Sequence, residues 1–179
     1  GNVADNSDFP GISFNAQKAQ DLLAEAGYPN GEGLPEITLM FNTSEGHQKI
    51  AEFIQGQWKE HLGVDVNLAN QEWGVYLDYM DACNNSEDAM DDCEFNVYRM
   101  GWVMDYGDPQ NQLEVVFAPN STFQYTGWQW TGGEARDRYN EIMDLARVET
   151  DNDTRATLYQ EADKILGEDF VAVLPLHYY

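Results

Sequence analysis

The chain has 179 residues, room for one sizeable core, and its 9 Lys and Arg stand against 32 Asp and Glu, a formal charge of -23. That balance excludes nucleic-acid recognition, which needs a basic face, and attraction to an anionic membrane surface. No apolar run approaches the ~20 residues of a membrane-spanning helix, so no membrane insertion is expected, and the surplus carboxylates read either as a solvated acidic surface or as adaptation to high salt.

Residues 1 to 14 are polar, are punctuated by Pro10 and Gly11, and read as a lead-in segment. Asn15 can cap a helix whose apolar stripe is Ala19, Leu22, Leu23 and Ala26. "GYPNGEG" stops it, and "EITLMFN" from Glu36 to Asn42 is a β-rich run. Ser44 offers a cap to a second helix with Ile50, Ile54, Trp58 and Leu62 on one face; Gly63 ends it, and "VDVNLAN" alternates as a strand. Trp73, Tyr76, Leu77 and Met80 mark a third helix running up to Cys83. A strand is then expected from Glu94 to about Val103. Strand, helix, strand, helix, strand, with single helices as connections, predicts parallel strands joined by right-handed crossovers.

The second half reads as helical. A short helix follows Pro109 with Leu113, Val116 and Phe117 inward, and "FAPNSTFQYTGWQWTGG" is an aromatic-rich loop. A long helix carries Ala135, Tyr139, Ile142, Met143 and Ala146, and another carries Leu158, Ala162, Ile165 and Leu166. "FVAVLPLHYY" is expected to be a buried strand.

Cys83 and Cys93 flank "NNSEDAMDD", without zinc spacing and with no histidine close in sequence. Thiols beside so hydrophilic a run are expected to pair as a disulfide, which implies an oxidising compartment. Enzyme signatures are missing: the chain contains no G-x-S-x-G elbow, no H-E-x-x-H, no phosphate loop and no G-x-G-x-x-G. His47, His61 and His177 share no motif. No catalytic residue, metal ligand or cofactor is therefore assigned.

"YRMGWVMDYGDPQN", Tyr98 to Asn111, is where a strand empties into a loop. In open α/β sheets ligands bind beyond the carboxyl ends of parallel strands. There Gly101 permits close approach, Trp102 offers a stacking surface, Asp105 a fixed anion and Arg99 a planar fork for a carboxylate. The competing reading is an internal Arg99–Asp105 ion pair closing the loop, with Trp102 as core.

At these residues the chain resembles the extracytoplasmic solute-binding proteins of oligopeptide, dipeptide and nickel ABC importers, family 5. "FNAQKAQDLLAEAGYPNG" is similar to the family's helix and A-G-Y-P-x-G turn, and "QEWGVYLDYM" to its helix ahead of the third strand. "MGWVMDYGDPQN" resembles its G-W-x-x-D-x-x-D-P segment, and "LARVETDNDTRATLYQEADKILGEDFVAVLPLHYY" resembles its closing helices and the strand leading into L-P-L-Y-Y. The resemblance implies α/β architecture, a mixed, mostly parallel sheet flanked by helices, as in one lobe of a type II periplasmic-binding-protein fold. It implies that residues 15 to 179 form the second lobe of a longer, two-lobed protein, with residues 1 to 14 arriving from the first lobe. The implied ligand is an oligopeptide, a dipeptide or another small solute, the implied partner is an ABC permease, and the implied location of this protein is outside the cytoplasm. Asp105 then pairs with the ligand's amino group, Arg99 can meet a peptide carboxylate, Trp102 lines the cavity with Gly101 beside it, and Tyr106 matches a position that faces ligand in some nickel-binding members. Two other readings stay open: a stand-alone glycan- or ligand-binding module using "FQYTGWQWTGG", and an α/β hydrolase lacking a recognisable nucleophile.

Overall fold

A computed structural model describes residues 13–84, 88, 93–118, 121 and 127–176. The lead-in segment up to residue 12 and most of the loop between the cysteines lie outside them. The chain divides into two compact units: a sheet unit of Phe14–Met80 and Asp92–Gly101, and a helical unit of Gly1–Ser13, Asp81–Asp91 and Trp102–Tyr179. Each has its own apolar cluster.

In the sheet unit, helix α1 (Ala16–Glu25) begins where expected, with the Asn15 side chain accepting from the Lys18 amide at 2.9 Å. Only part of its predicted stripe is used. Leu23 packs into the cluster while Leu22 stays exposed. Strand β1 (Ile37–Asn42) leads through helix α2 (Glu45–Leu62) to strand β2 (Val66–Gln71), and helix α3 (Trp73–Cys83) leads to strand β3 (Val97–Tyr98). The sheet order is β2-β1-β3 and both pairings are parallel. Ile37 faces Val66 and Asn42 faces Gln71 at the two ends of the β1–β2 register.

Central β1 buries Leu39, Met40 and Phe41 in succession. Neighbouring strand residues point to opposite faces, so the strand is covered on both sides, as parallel sheets require. Leu39 and Phe41 pack with Ala51, Val64 and Val66, and Ile54, Trp58 and Leu62 close over them. Each large apolar side chain so buried contributes about 1.5–3 kcal/mol. On α3, Tyr76 and Met80 are fully buried as their spacing predicts, whereas Trp73 stays partly exposed.

Strand β3 is much shorter than the expected Glu94–Val103. Asn96 donates to the Thr38 carbonyl at 3.0 Å and Arg99 to the Met40 carbonyl at 2.8 Å, and the pairing ends there although β1 runs on to Asn42. Among the described residues no strand pairing continues beyond Arg99, and the chain runs on as a loop. Cys83 and Cys93 are disulfide-bonded, as the sequence predicts. Cys83 is nevertheless buried, because α3 extends far enough to take it in.

The helical unit contains α4 (Gln110–Phe117), the short α5 (Trp128–Thr131), α6 (Gly133–Val148) and α7 (Asn152–Lys164). The predicted stripes meet here: Leu113, Tyr139, Ile142, Met143, Ala146, Ala162, Ile165 and Leu166 share one cluster with Trp128 and Tyr159. The Tyr139 hydroxyl donates to the Leu113 carbonyl at 2.6 Å, and the Trp128 indole to the Phe117 carbonyl at 2.9 Å. Burial raises the Tyr139 phenol well above its ordinary pKa, with the charges of Asp163 and Glu114 adding to the shift. Past α7 the helix widens to π geometry at Ile165–Asp169. The expected buried strand at "FVAVLPLHYY" is not found among the described residues. Phe170, Ala172 and Val173 pack against the helical cluster instead. Residues 177–179 fall outside the described set. Among the described residues, no helix is long and apolar enough to cross a membrane.

Candidate functional site

Beyond β3 the predicted site residues divide between the units, Arg99 and Gly101 in the sheet unit and Trp102, Asp105 and Tyr106 in the helical unit. Arg99 ends the β3 pairing and its carbonyl accepts from the buried Tyr76 hydroxyl at 2.6 Å, so α3 fixes the backbone from which its side chain leaves. Burial raises the Tyr76 pKa, and the Arg99 charge opposes that shift. Gly101 is exposed.

Trp102 is half-buried and its indole Nε1 donates to Asn111 Oδ1 at 2.9 Å. The Asp105 backbone N–H donates to the same oxygen at 3.2 Å. The structure thus joins Trp102 and Asp105 through Asn111, which the sequence reading did not single out. The Asp105 side chain is exposed, and among the described residues its carboxylate enters no hydrogen bond or ion pair. Tyr106 is also exposed, with its hydroxyl donating to Gln110 Oε1.

The loop's far end is fastened by a second contact. Asp108 accepts the Gln110 amide on Oδ1 and takes both ends of the Arg155 fork, at 2.8 and 2.9 Å. Arg155 also donates to the Ala146 carbonyl and the Tyr159 hydroxyl, and lies 4.7 Å from the Tyr159 ring centroid. The Arg155 donors hold the Asp108 carboxyl below its ordinary pKa. Tyr106, Asp108, Gln110, Glu114, Arg147 and Arg155 line an open depression here. Its two arginines are already paired, Arg147 with Glu114 and Asp144 and Arg155 with Asp108, so it reads as an ion-paired surface rather than an anion site.

Arg155→Ala is expected to cost about 1.5–3 kcal/mol of stability at neutral pH, the range for hydrogen bonds to charged groups. A carboxyl with a depressed folded pKa contributes stability that is present above its unfolded value, near ~3.9, and is lost as pH falls through the folded value. The penalty measured by chemical denaturation should therefore shrink below the ordinary carboxylate range. A penalty that stays constant into acid would assign Arg155's contribution to packing on Tyr159 instead.

The carboxyl ends of the other two strands add a feature that sequence reasoning missed. Asn42 closes β1 and Gln71 closes β2 opposite it, and among the described residues the buried side-chain oxygens Asn42 Oδ1 and Gln71 Oε1 have no hydrogen-bond partner. Buried acceptors are seldom left so. Their place at strand ends was a usable signal, because ligands of open α/β sheets collect there. In the aromatic loop, Trp128 belongs to the core and Trp130 donates its indole N–H to the Asn84 carbonyl at 2.9 Å. Trp128 is therefore no stacking platform for a glycan, whereas Trp130 stays 40% exposed; Phe123 and Tyr125 fall outside the described residues.

A parallel sheet whose strands empty into loops is an α/β scaffold of the kind whose ligands collect at strand ends. The solved structures agree. A periplasmic oligopeptide-binding protein from Borrelia burgdorferi superposes with a TM-score of 0.74 at 33% identity, over 90% of this chain and 29% of that one. The oligopeptide-binding protein OppA of Bacillus subtilis (strain 168) is 35% identical over 157 residues, 88% of this chain and 26% of the relative. The periplasmic murein peptide-binding protein MppA of Escherichia coli (strain K12) is 36% identical over 169 residues, 93% of this chain and 27% of the relative. The family model for bacterial extracellular solute-binding proteins, family 5 (middle region), matches residues 1–124. The chain belongs to that family. It spans only about a quarter of the length of these curated relatives, 26% and 27%.

Proposed function

We propose that this chain supplies one wall of a peptide-binding cleft in the substrate-binding component of an ABC importer. Residues 15 to 179 are the second lobe of a two-lobed protein outside the cytoplasm, residues 1 to 14 arrive from the first lobe, and the closed complex is delivered to a permease. No reaction is catalysed. The observation that carries this reading is Asp105, an exposed carboxylate without a hydrogen bond or ion pair among the described residues, on a loop leaving the end of a parallel strand. In this reading Asp105 receives the ligand's ammonium, Trp102 lines the cavity, Gly101 leaves room, Tyr106 faces ligand and Arg99 meets a carboxylate. The relatives named above support a peptide as the ligand, since each is described as a peptide-binding or oligopeptide-binding protein.

An exposed ion pair in water gives only about 0 to 1 kcal/mol. Tight capture therefore needs the second wall and the loss of water on closure. Calorimetry on the full-length protein should show a peptide with a free amino terminus binding at least about tenfold more tightly than its N-acetylated form, a difference of about 1.4 kcal/mol. Equal affinity for the two would remove Asp105 from ammonium recognition.

A further inference from the structure

Asn111 is the second residue of α4 and only 1% exposed. Asparagine is rarely buried to that degree unless its polar atoms are used. A carboxamide oxygen has two lone pairs, and here each has a donor: the Trp102 indole at 2.9 Å and the Asp105 backbone amide at 3.2 Å. One buried atom thus fixes both the ring and the backbone that carries the carboxylate.

Val103 is 74% exposed and Met104 is 40% exposed, so neither pins the loop by packing. The loop's other fastening is Asp108, gripped by Arg155 and bonded to the start of α4 through the Asn111 amide, which donates to the Asp108 carbonyl at 3.0 Å. Asp105 and Tyr106 are carried between these two anchors. Asn111 itself does not contact the Asp105 carboxylate through any hydrogen bond among the described residues. Whatever it does for that group, it does by placing the backbone.

We infer that Asn111 is the positioning residue of the ligand-facing loop, holding Trp102 and Asp105 in one fixed arrangement before ligand arrives. The inference rests on the reading of Asp105 as the ammonium partner. A carboxylate held in its bound orientation gives up less freedom on binding than one on a loose loop, so preorganisation appears as affinity for the charged terminus specifically. Removing Asn111's acceptor should weaken the binding of a free amino terminus and leave an N-acetylated peptide nearly unaffected. A residue that only stabilised the fold would lower both affinities together.

The experiment uses the full-length protein and one peptide in free and N-acetylated forms, with the ratio of the two affinities as the readout. Asn111→Leu has nearly the same volume and offers no acceptor. It should lower that ratio by about tenfold. Asn111→Asp retains an acceptor oxygen and should restore most of the ratio. Should Asn111→Leu fail to fold, Asn111→Ser carries the same question, because its short hydroxyl cannot reach both donors. A parental ratio in whichever of these variants folds, while Asp105→Asn abolishes it, overturns the positioning role alone. A parental ratio in Asp105→Asn overturns the reading of Asp105 on which the inference stands.

Discussion

Asp105→Asn in the full-length protein is expected to cost about 2 to 5 kcal/mol of affinity for a peptide with a free amino terminus, the range for removing one partner of a desolvated charge pair. Carboxylate and carboxamide have nearly the same shape, so the variant removes the charge and little else. The melting temperature of the ligand-free protein should hardly move, because the Asp105 carboxylate is exposed and makes no hydrogen bond or ion pair among the described residues. Affinity for the N-acetylated peptide should also persist. The competing assignment, an internal ion pair closing the loop, predicts the reverse pattern: stability falls and affinity survives. Calorimetry and thermal denaturation on the same two proteins separate these outcomes. An affinity loss below about 1 kcal/mol would mean that the carboxylate stays in water when ligand is bound.

The parts of the fold that were legible are those with a strong local period. "ITLMFN" reads as a strand and buries three consecutive residues because its sheet is covered on both faces. The stripe Tyr139, Ile142, Met143 and Ala146 reads as a helix face and is one. The failures came where a neighbour decides. An apolar run such as "FVAVLPL" has β propensity, but a strand also needs an edge to pair with, and propensity does not encode one. At the site, the strand-end position was legible from element order, and it directed attention to Asp105 and Trp102. Asn111 and Arg155 were not legible. A polar residue in "DPQN" looks like any turn residue, and Arg155 grips Asp108 from 47 positions away. Such contacts exist only after the helices have packed.

Gly63→Ala is expected to be among the most costly single-methyl changes in the sheet unit. Gly63 ends α2 in the left-handed region, at φ 71, and its amide donates to the Lys59 carbonyl at 3.2 Å. An L residue there costs about 1–2 kcal/mol from backbone sterics alone. A Cβ would also stand 2.3 Å from the Asn30 carbonyl oxygen and 3.1 Å from its carbon, against backbone that cannot rotate away. Overpacking of that kind adds about 1–3 kcal/mol. Asn30 has little room to yield, since it is itself held at φ 56 in the short turn Pro29–Gly31. Gly33 supplies the control: its φ of 78 is similar, yet a Cβ there would meet nothing within 4 Å. Gly33→Ala should therefore show the backbone cost alone, and Gly63→Ala the backbone cost plus the collision. The difference in unfolding free energy between the two variants, measured by urea denaturation, isolates the contact between the α1–β1 turn and the end of α2. Equal losses would show that the turn gives way freely and that Gly63 is required only for its backbone angles.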